Sequence, residues 1–195
     1  MEENINMKLY NVCKGIYTFL LRILYRPQVI GKENIPEEGS LIFAGNHIHA
    51  ADPVVVMSNT NRVVHYMAKE ELFRGLHGVI FEKVGTIKVN RNRSNPQAVI
   101  MAERILKEGG TVGIFPEGTR NRTEQDLLKF RTGTAKMAKN TNTKILPFAT
   151  NGKYKLFRKG LIIKFGKQID VSNMEIEEAN NYLKQEILKL YNNIK

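Results

Sequence analysis

The stretch Asn46-His47-Ile48-His49-Ala50-Ala51-Asp52-Pro53 sets a histidine and an aspartate five positions apart, directly after the apolar run Leu41-Ile42-Phe43-Ala44. A histidine can take a proton near neutral pH, and a carboxylate on its other ring nitrogen fixes the tautomer and supports the imidazolium that forms. The residue types therefore suit general-base chemistry. On a continuous helix, residues five apart point about 140° away from each other, so the backbone must turn for the pair to meet. Asp52-Pro53 supplies a turn signal, since Asp is a good N-cap and Pro a good first helical residue. The same signal has a plainer reading, in which Asp52 only caps a helix over 53–59. His49, three residues from Asp52, is a rival base.

Two further stretches carry chemistry-bearing residues. In Phe115-Pro116-Glu117-Gly118-Thr119-Arg120, an apolar strand ends in a Pro/Gly bend, and strand ends in α/β sheets are where ligands commonly bind. Arg120 has the forked geometry that matches a phosphate, Gly118 permits close backbone approach, and Glu117 can accept from a hydroxyl or hold a cation. A turn closed by a surface ion pair between Glu117 and Arg120 would read the same way. Gly85-Thr86-Ile87-Lys88-Val89-Asn90-Arg91, followed by Asn92-Arg93, is a second strand that exits into cations. These arginines suit a phosphate or simply an exposed basic loop.

The elements that must position these residues follow from periodicity and punctuation. Strands are expected at 40–45, 62–67, 85–89, 111–115, 145–150 and 160–166, and helices at 53–59, 95–108, 132–140 and 173–193. Asn95 and Pro96 open the second of these helices and Gly109-Gly110 ends it. Ser172 is the expected cap of the last, with Glu175, Glu177 and Glu178 near its positive end. Strands alternating with helices indicate an α/β domain with a mixed, mostly parallel sheet flanked by helices. The basic loop 151–159 and Lys159-Gly160 suggest a late hairpin instead of another crossover.

Residues 7–26 read as a two-faced helix. Lys8, Asn11, Lys14, Thr18, Arg22 and Arg26 fall within an arc of roughly 120°, and apolar side chains fill the rest. A wide apolar face beside a basic one suits a helix lying in a membrane interface. A helix packed on the domain's own core gives the same pattern. The expected organisation is an amphipathic interfacial helix over residues 1–30 and a single α/β domain over 31–195. No run of about 18 apolar residues is present, so a membrane-spanning helix is not expected.

The formal charge of +11 is lopsided: residues 120–168 hold 13 Lys/Arg against Glu124 and Asp126, while the remainder balances at 17 basic and 17 acidic residues. Such a field favours anionic partners: phosphate head groups, nucleic acid or an acidic carrier protein. Trp is absent and no aromatic-rich RNA motif appears, so a nucleic-acid partner is not expected. The single cysteine, Cys13, excludes an intrachain disulfide and reads as packing. His65 lies in an apolar strand and reads as a core histidine. No metal-ligand spacing surrounds the four histidines. The sequence contains neither a P-loop nor a Gly-x-Ser-x-Gly elbow.

Taken together, these blocks resemble the glycerophospholipid acyltransferase family, most closely its lysophosphatidic acid acyltransferases. The His-x4-Asp block is His47–Asp52, preceded by Asn46. The second block resembles Gly85–Arg91, the third Phe115–Arg120 and the fourth Ile145-Leu146-Pro147-Phe148-Ala149. Ala68-Lys69-Glu70-Glu71-Leu72 and Phe130-Arg131-Thr132-Gly133 are lesser matches. The blocks stand in family order across about residues 27–170.

The resemblance implies roles. His47, held by Asp52, would be the general base that activates a free glycerol hydroxyl for attack on an acyl thioester. Arg91 and Arg120 would hold the acceptor phosphate, with Lys69 a further candidate. Glu117 and Gly118 would shape the glycerol site, and Thr119 lies with them in the substrate-binding block. No bound cofactor or metal is implied; acyl carrier protein or coenzyme A would carry the acyl group as a co-substrate. The implied setting is the cytoplasmic face of the cell membrane, with residues 7–26 docked on its surface. Asn90 stands where the family often has Asp, and Arg131 where Lys is frequent. The alternatives are another acceptor, such as glycerol 3-phosphate or a different lysophospholipid, a basic nucleic-acid-binding protein, or an inactive membrane-binding module.

Overall fold

A parallel strand covered on both faces must be apolar on both. Leu41–Gly45 (β2) and Ile145–Thr150 (β6) satisfy this, with every residue buried. In a computed structural model, which describes residues 5–90 and 96–195, they pair at the centre of a seven-stranded sheet of order β1-β7-β6-β2-β5-β3-β4. The remaining strands are Gln28–Ile30 (β1), Val64–Lys69 (β3), Ile87–Val89 (β4), Thr111–Ile114 (β5) and Ile162–Phe165 (β7). Strands β2 to β6 run parallel to their neighbours among themselves. β7 is antiparallel to β6, the expected late hairpin, and β1 lies parallel to β7.

Side chains alternate across the sheet as strand geometry requires. Ile42 and Ala44 of β2 face a core built with Pro96–Lys107 (α4), Gly133–Thr141 (α5) and Ile176–Asn192 (α6), which contribute Ala102, Ala138 and Leu183 among others. Leu41 and Phe43 face the opposite core, with Val55 and Val56 of Asp52–Met57 (α2) and Leu21 of Met7–Tyr25 (α1). The mostly parallel sheet with helices on both faces agrees with the expected fold class. Because β2 to β6 are parallel, their carboxyl ends share one edge, which gathers the residues after Gly45, Lys69, Val89, Ile114 and Thr150.

Expected boundaries hold to within a few residues, with three departures. β1 is too short to carry a period and forms only by pairing with β7. Leu76–Lys83 (α3) has little amphipathic pattern and follows a short 3-10 turn at Glu70–Phe73. The last helix is capped by Glu175 and not by Ser172: Glu175 and Glu178 form a reciprocal capping box, whereas the Ser172 N–H donates to Asp170 Oδ1. The expected Asn95 cap lies outside the described residues.

α1 is both packed and open. Tyr10 and Leu21 are buried, the Val64 N–H donates to the Tyr10 hydroxyl at 3.1 Å, and Lys14 Nζ donates to the Thr60 carbonyl at 2.5 Å. Lys14, counted with the polar arc, is therefore turned toward the domain. The far side exposes Val12, Ile16, Phe19, Leu20 and Ile23, which at helical spacing fall within an arc of about 100°. No helix among the described residues is long and apolar enough to cross a membrane.

Tyr66 on β3 lies over Gly113 of β5, where a Cβ would meet its ring at 2.3 Å. Its hydroxyl is buried with no hydrogen-bond partner among the described residues, and burial raises its pKa. An unsatisfied buried hydroxyl costs stability. Tyr66→Phe is therefore expected to leave the unfolding free energy in urea unchanged or raise it, by up to about 1 kcal/mol. A clear loss would show that the hydroxyl has a partner.

Candidate active site

β2 and β6 are locked together where they leave the sheet. Asn46 Nδ2 donates to the Thr150 carbonyl and the Thr150 N–H donates back to Asn46 Oδ1, both at 2.8 Å. The next residue is His47. The chain then folds back so that Asp52, the first residue of α2, directs its carboxylate at the segment it has just left. Asp52 does not cap α2: its own N–H donates to the His49 carbonyl at 3.1 Å, and the N-cap is Ala51.

The Asp52 side chain is wholly buried and takes five donors. Oδ2 lies 2.9 Å from His47 Nδ1 and accepts the N–H groups of Ile48 and His49, each at 2.8 Å. Oδ1 accepts the Tyr154 hydroxyl at 2.5 Å and the Thr150 hydroxyl at 3.3 Å. Burying a carboxylate is tolerable only when its lone pairs are satisfied in this way. An ionised carboxylate accepts and cannot donate, so the facing Nδ1 carries the proton and Nε2 keeps its lone pair. That is the tautomer a base needs.

His47 is held at every side. Its N–H donates to Glu117 Oε1 at 2.9 Å, and its carbonyl accepts the Asn121 N–H at 2.6 Å. Its ring stacks on Phe115, with centroids 4.0 Å apart and planes 16° from parallel. The ring keeps 14% of its side-chain surface exposed. His49, the rival, is turned elsewhere. Its ring stacks on Tyr154 at 4.1 Å, its Nδ1 accepts the Ala51 N–H, and it meets Asp52 only through its backbone.

The third block thus acts on His47 from across the β2–β5 boundary. Glu117 is buried, and its second oxygen accepts the Leu128 N–H at 2.8 Å. Desolvation pushes its carboxyl above the ordinary carboxylate range, against the two backbone donors that pull it down. Gly118 has φ +68°, and a Cβ there would meet Arg131 Nε at 2.8 Å, so glycine serves both the turn and the close approach of Arg131. Thr119 and Arg120 are exposed just beyond. Lys69 is exposed at the end of β3, level with Val89 of β4. Arg91 lies outside the described residues. Asn90 Nδ2 donates to Glu70 Oε2 at 2.8 Å.

Three contributors escaped the sequence reading. Tyr154 stood in a loop read only as a hairpin, Thr150 in a strand read only as core, and Asn121 one residue beyond the third block. Tyr154 is 102 positions from its carboxylate partner, and no local pattern encodes such a contact. Burial, followed by the Asp52 charge, raises the Tyr154 pKa strongly, so its hydroxyl stays a donor. His65 is a core residue as expected, with Nδ1 2.7 Å from the Gly85 carbonyl. Among the described residues, no group of three or more His, Cys, Asp or Glu side chains could hold a metal ion.

Residues 26–151, which contain the His47–Asp52 pair and its Glu117 clamp, match the Acyltransferase family model. The chain belongs to the acyltransferase family. The 1-acyl-sn-glycerol-3-phosphate acyltransferase of Borreliella burgdorferi is 35% identical over 181 residues, 86% of this chain and 72% of that one. The enzyme of the same name from Bacillus subtilis is 30% identical over 157 residues, 78% and 77% of the two chains. The fold is also that of the crystal structure of the 1-acyl-sn-glycerophosphate acyltransferase from Thermotoga maritima. That match has a TM-score of 0.77 at 22% identity, over 95% of this acyltransferase and 78% of that chain.

Replacing Glu117 by Gln leaves one of two buried N–H donors facing an amide NH2, which costs about 1–3 kcal/mol. Because the folded pKa of Glu117 is raised, its contribution to stability is fullest below the ordinary glutamate range and declines as pH rises through the raised value. Glu117→Gln is therefore expected to destabilise this acyltransferase most in mild acid, with the gap to wild type narrowing toward neutral pH. Denaturant melts across pH check this; a gap that widens with pH would contradict it.

Proposed function

We propose that this acyltransferase moves a fatty acyl group from an acyl thioester to the free sn-2 hydroxyl of lysophosphatidic acid, giving phosphatidic acid. The observation that carries the reading is the buried Asp52 carboxylate on His47 Nδ1, in a chain 35% and 30% identical to acyltransferases named for that acceptor. His47 Nε2 takes the proton of the acceptor hydroxyl as its oxygen attacks the thioester carbonyl. The tetrahedral oxyanion then collapses, the carbon–sulfur bond breaks, and the imidazolium returns the proton to the departing sulfur. Asp52 stabilises the transient imidazolium without accepting its proton, because its lone pairs are already taken by other donors.

Arg120 and Lys69, exposed at the sheet edge that carries His47, hold the acceptor phosphate together with Arg91. Glu117 serves by fixing the His47 backbone, and Gly118 and Thr119 border the glycerol. The donor is acyl carrier protein or coenzyme A thioester; the basic segment 120–168 suits the acidic carrier and the nucleotide phosphates alike. The exposed apolar stripe of α1, bordered by Lys8, Arg22 and Arg26, supports docking on the cytoplasmic face of the membrane as a peripheral or monotopic protein.

Release of thiol from acyl-coenzyme A and from acyl carrier protein thioester tests the reading, with lysophosphatidic acid added on vesicles. Wild type is expected to release thiol only with acceptor present. His47→Ala, still folded, is expected to lose about 10²–10⁴-fold, the usual worth of base assistance. No acceptor-dependent release with either donor would overturn the acceptor assignment. A His47→Ala variant within tenfold or so of wild type would overturn the base.

A further inference from the structure

Beyond Tyr154, the loop between β6 and β7 carries a tip that the proposed chemistry at His47 does not use. Lys153, Lys155, Leu156, Phe157, Arg158 and Lys159 are all exposed. Leu156 and Phe157 are 58% and 64% exposed, two large apolar side chains at the tip of a segment with four cations and no acid. Solvated loops have no reason to present such a pair, whereas apolar tips ringed by cations suit an anionic bilayer surface.

The loop is also fastened. The Phe157 N–H donates to the Leu24 carbonyl in the last turn of α1 at 2.6 Å, and the Tyr25 and Tyr154 rings meet edge to face at 5.3 Å. The tip thus sits beside the helix whose outer side exposes Phe19, Leu20 and Ile23. A recess of about 360 Å³ opens at the base of the loop, beside the chain just after α1, lined by Arg26, Gln28, Lys159, Gly160, Leu161 and Ile162. α1 contributes no acid either, so both elements present one sign of charge. Two residues ahead of the tip, Tyr154 reaches Asp52.

We propose that the loop 153–159 is a second membrane contact, in which Leu156 and Phe157 enter the bilayer while Lys155, Arg158 and Lys159 engage anionic lipid head groups. It rests on the reading that α1 docks on a membrane, and deepens it. Two fastened contacts fix the rotation of the molecule on the surface, which one helix lying flat leaves open. Tyr154 makes the loop continuous with the catalytic carboxylate, so the seat on the bilayer and the dyad share one rigid connection.

Vesicle sedimentation tests this with the full chain, using phosphatidylcholine alone and with phosphatidylglycerol added. Three variants are compared: Leu156→Asn/Phe157→Asn, Lys155→Gln/Arg158→Gln/Lys159→Gln, and Ile16→Asn/Phe19→Asn on α1. Asn tolerates the left-handed backbone at Phe157, where φ is 57°, and melting curves confirm the fold of each. The apolar-tip variant is expected to bind both vesicle types at least about tenfold more weakly. The charge variant is expected to lose about fivefold per cation on the anionic vesicles alone. Wild-type binding by both loop variants, with loss confined to the α1 variant, would overturn the loop proposal and leave α1 docking standing. A wild-type chain that binds neither vesicle would overturn both. Equal loss by the charge variant on both vesicle types would overturn the preference for anionic lipid.

Discussion

A carboxylate with no exposure needs donors on every lone pair, and the organisation of this acyltransferase around Asp52 follows from that constraint. Its donors come from three places: the turn at 47–49, the end of β6 at Thr150, and the loop beyond it at Tyr154. Removing any one would leave a buried charge short of a partner, at a cost larger than the bond itself contributes. The parallel sheet supplies the meeting point, because strands running the same way release their following loops at one edge. The Asn46–Thr150 pair then fixes two of those releases to each other.

The second layer of support acts on the backbone of His47 and on one face of its ring. Glu117 and Asn121 hold its N–H and carbonyl, and Phe115 covers one face of the imidazole. A block whose acidic residue suggested a hydroxyl or cation partner thus turns out to brace the His47 backbone. Under the proposed mechanism, rigid placement of this kind would let a single imidazole contribute to rate without reorganising.

Much of the fold was legible because its signals are local. The apolar runs of β2, β5 and β6 declared strands. Pro96 and Gly109-Gly110 bounded α4, and the basic loop marked the β6–β7 hairpin. β1 and α3 were not legible: one exists only through pairing with a strand 134 residues on, as Gln28 with Ile162 shows, and the other lacks a clear period. At the site, sequence brought His47 and Asp52 forward but left His49 as a rival. Which ring faces Asp52 depends on how the chain turns between residues 47 and 52, which side-chain types alone do not dictate. Tyr154 was beyond reach for the same reason as β1. The pattern of α1 fits packing and docking alike, since one narrow face packs inward through Tyr10 and Leu21 while another stays apolar and open.

The proposed chemistry depends on Asp52 holding the His47 ring with its proton on Nδ1. Nitrogen-15 NMR of histidine-labelled protein at neutral pH reads this directly. A His47 Nδ1–H that is slow to exchange and far downfield is expected, with an unprotonated Nε2, and Asp52→Asn is expected to abolish the downfield signal. A His47 ring protonated on Nε2 in the wild type, or one unchanged by Asp52→Asn, would contradict it.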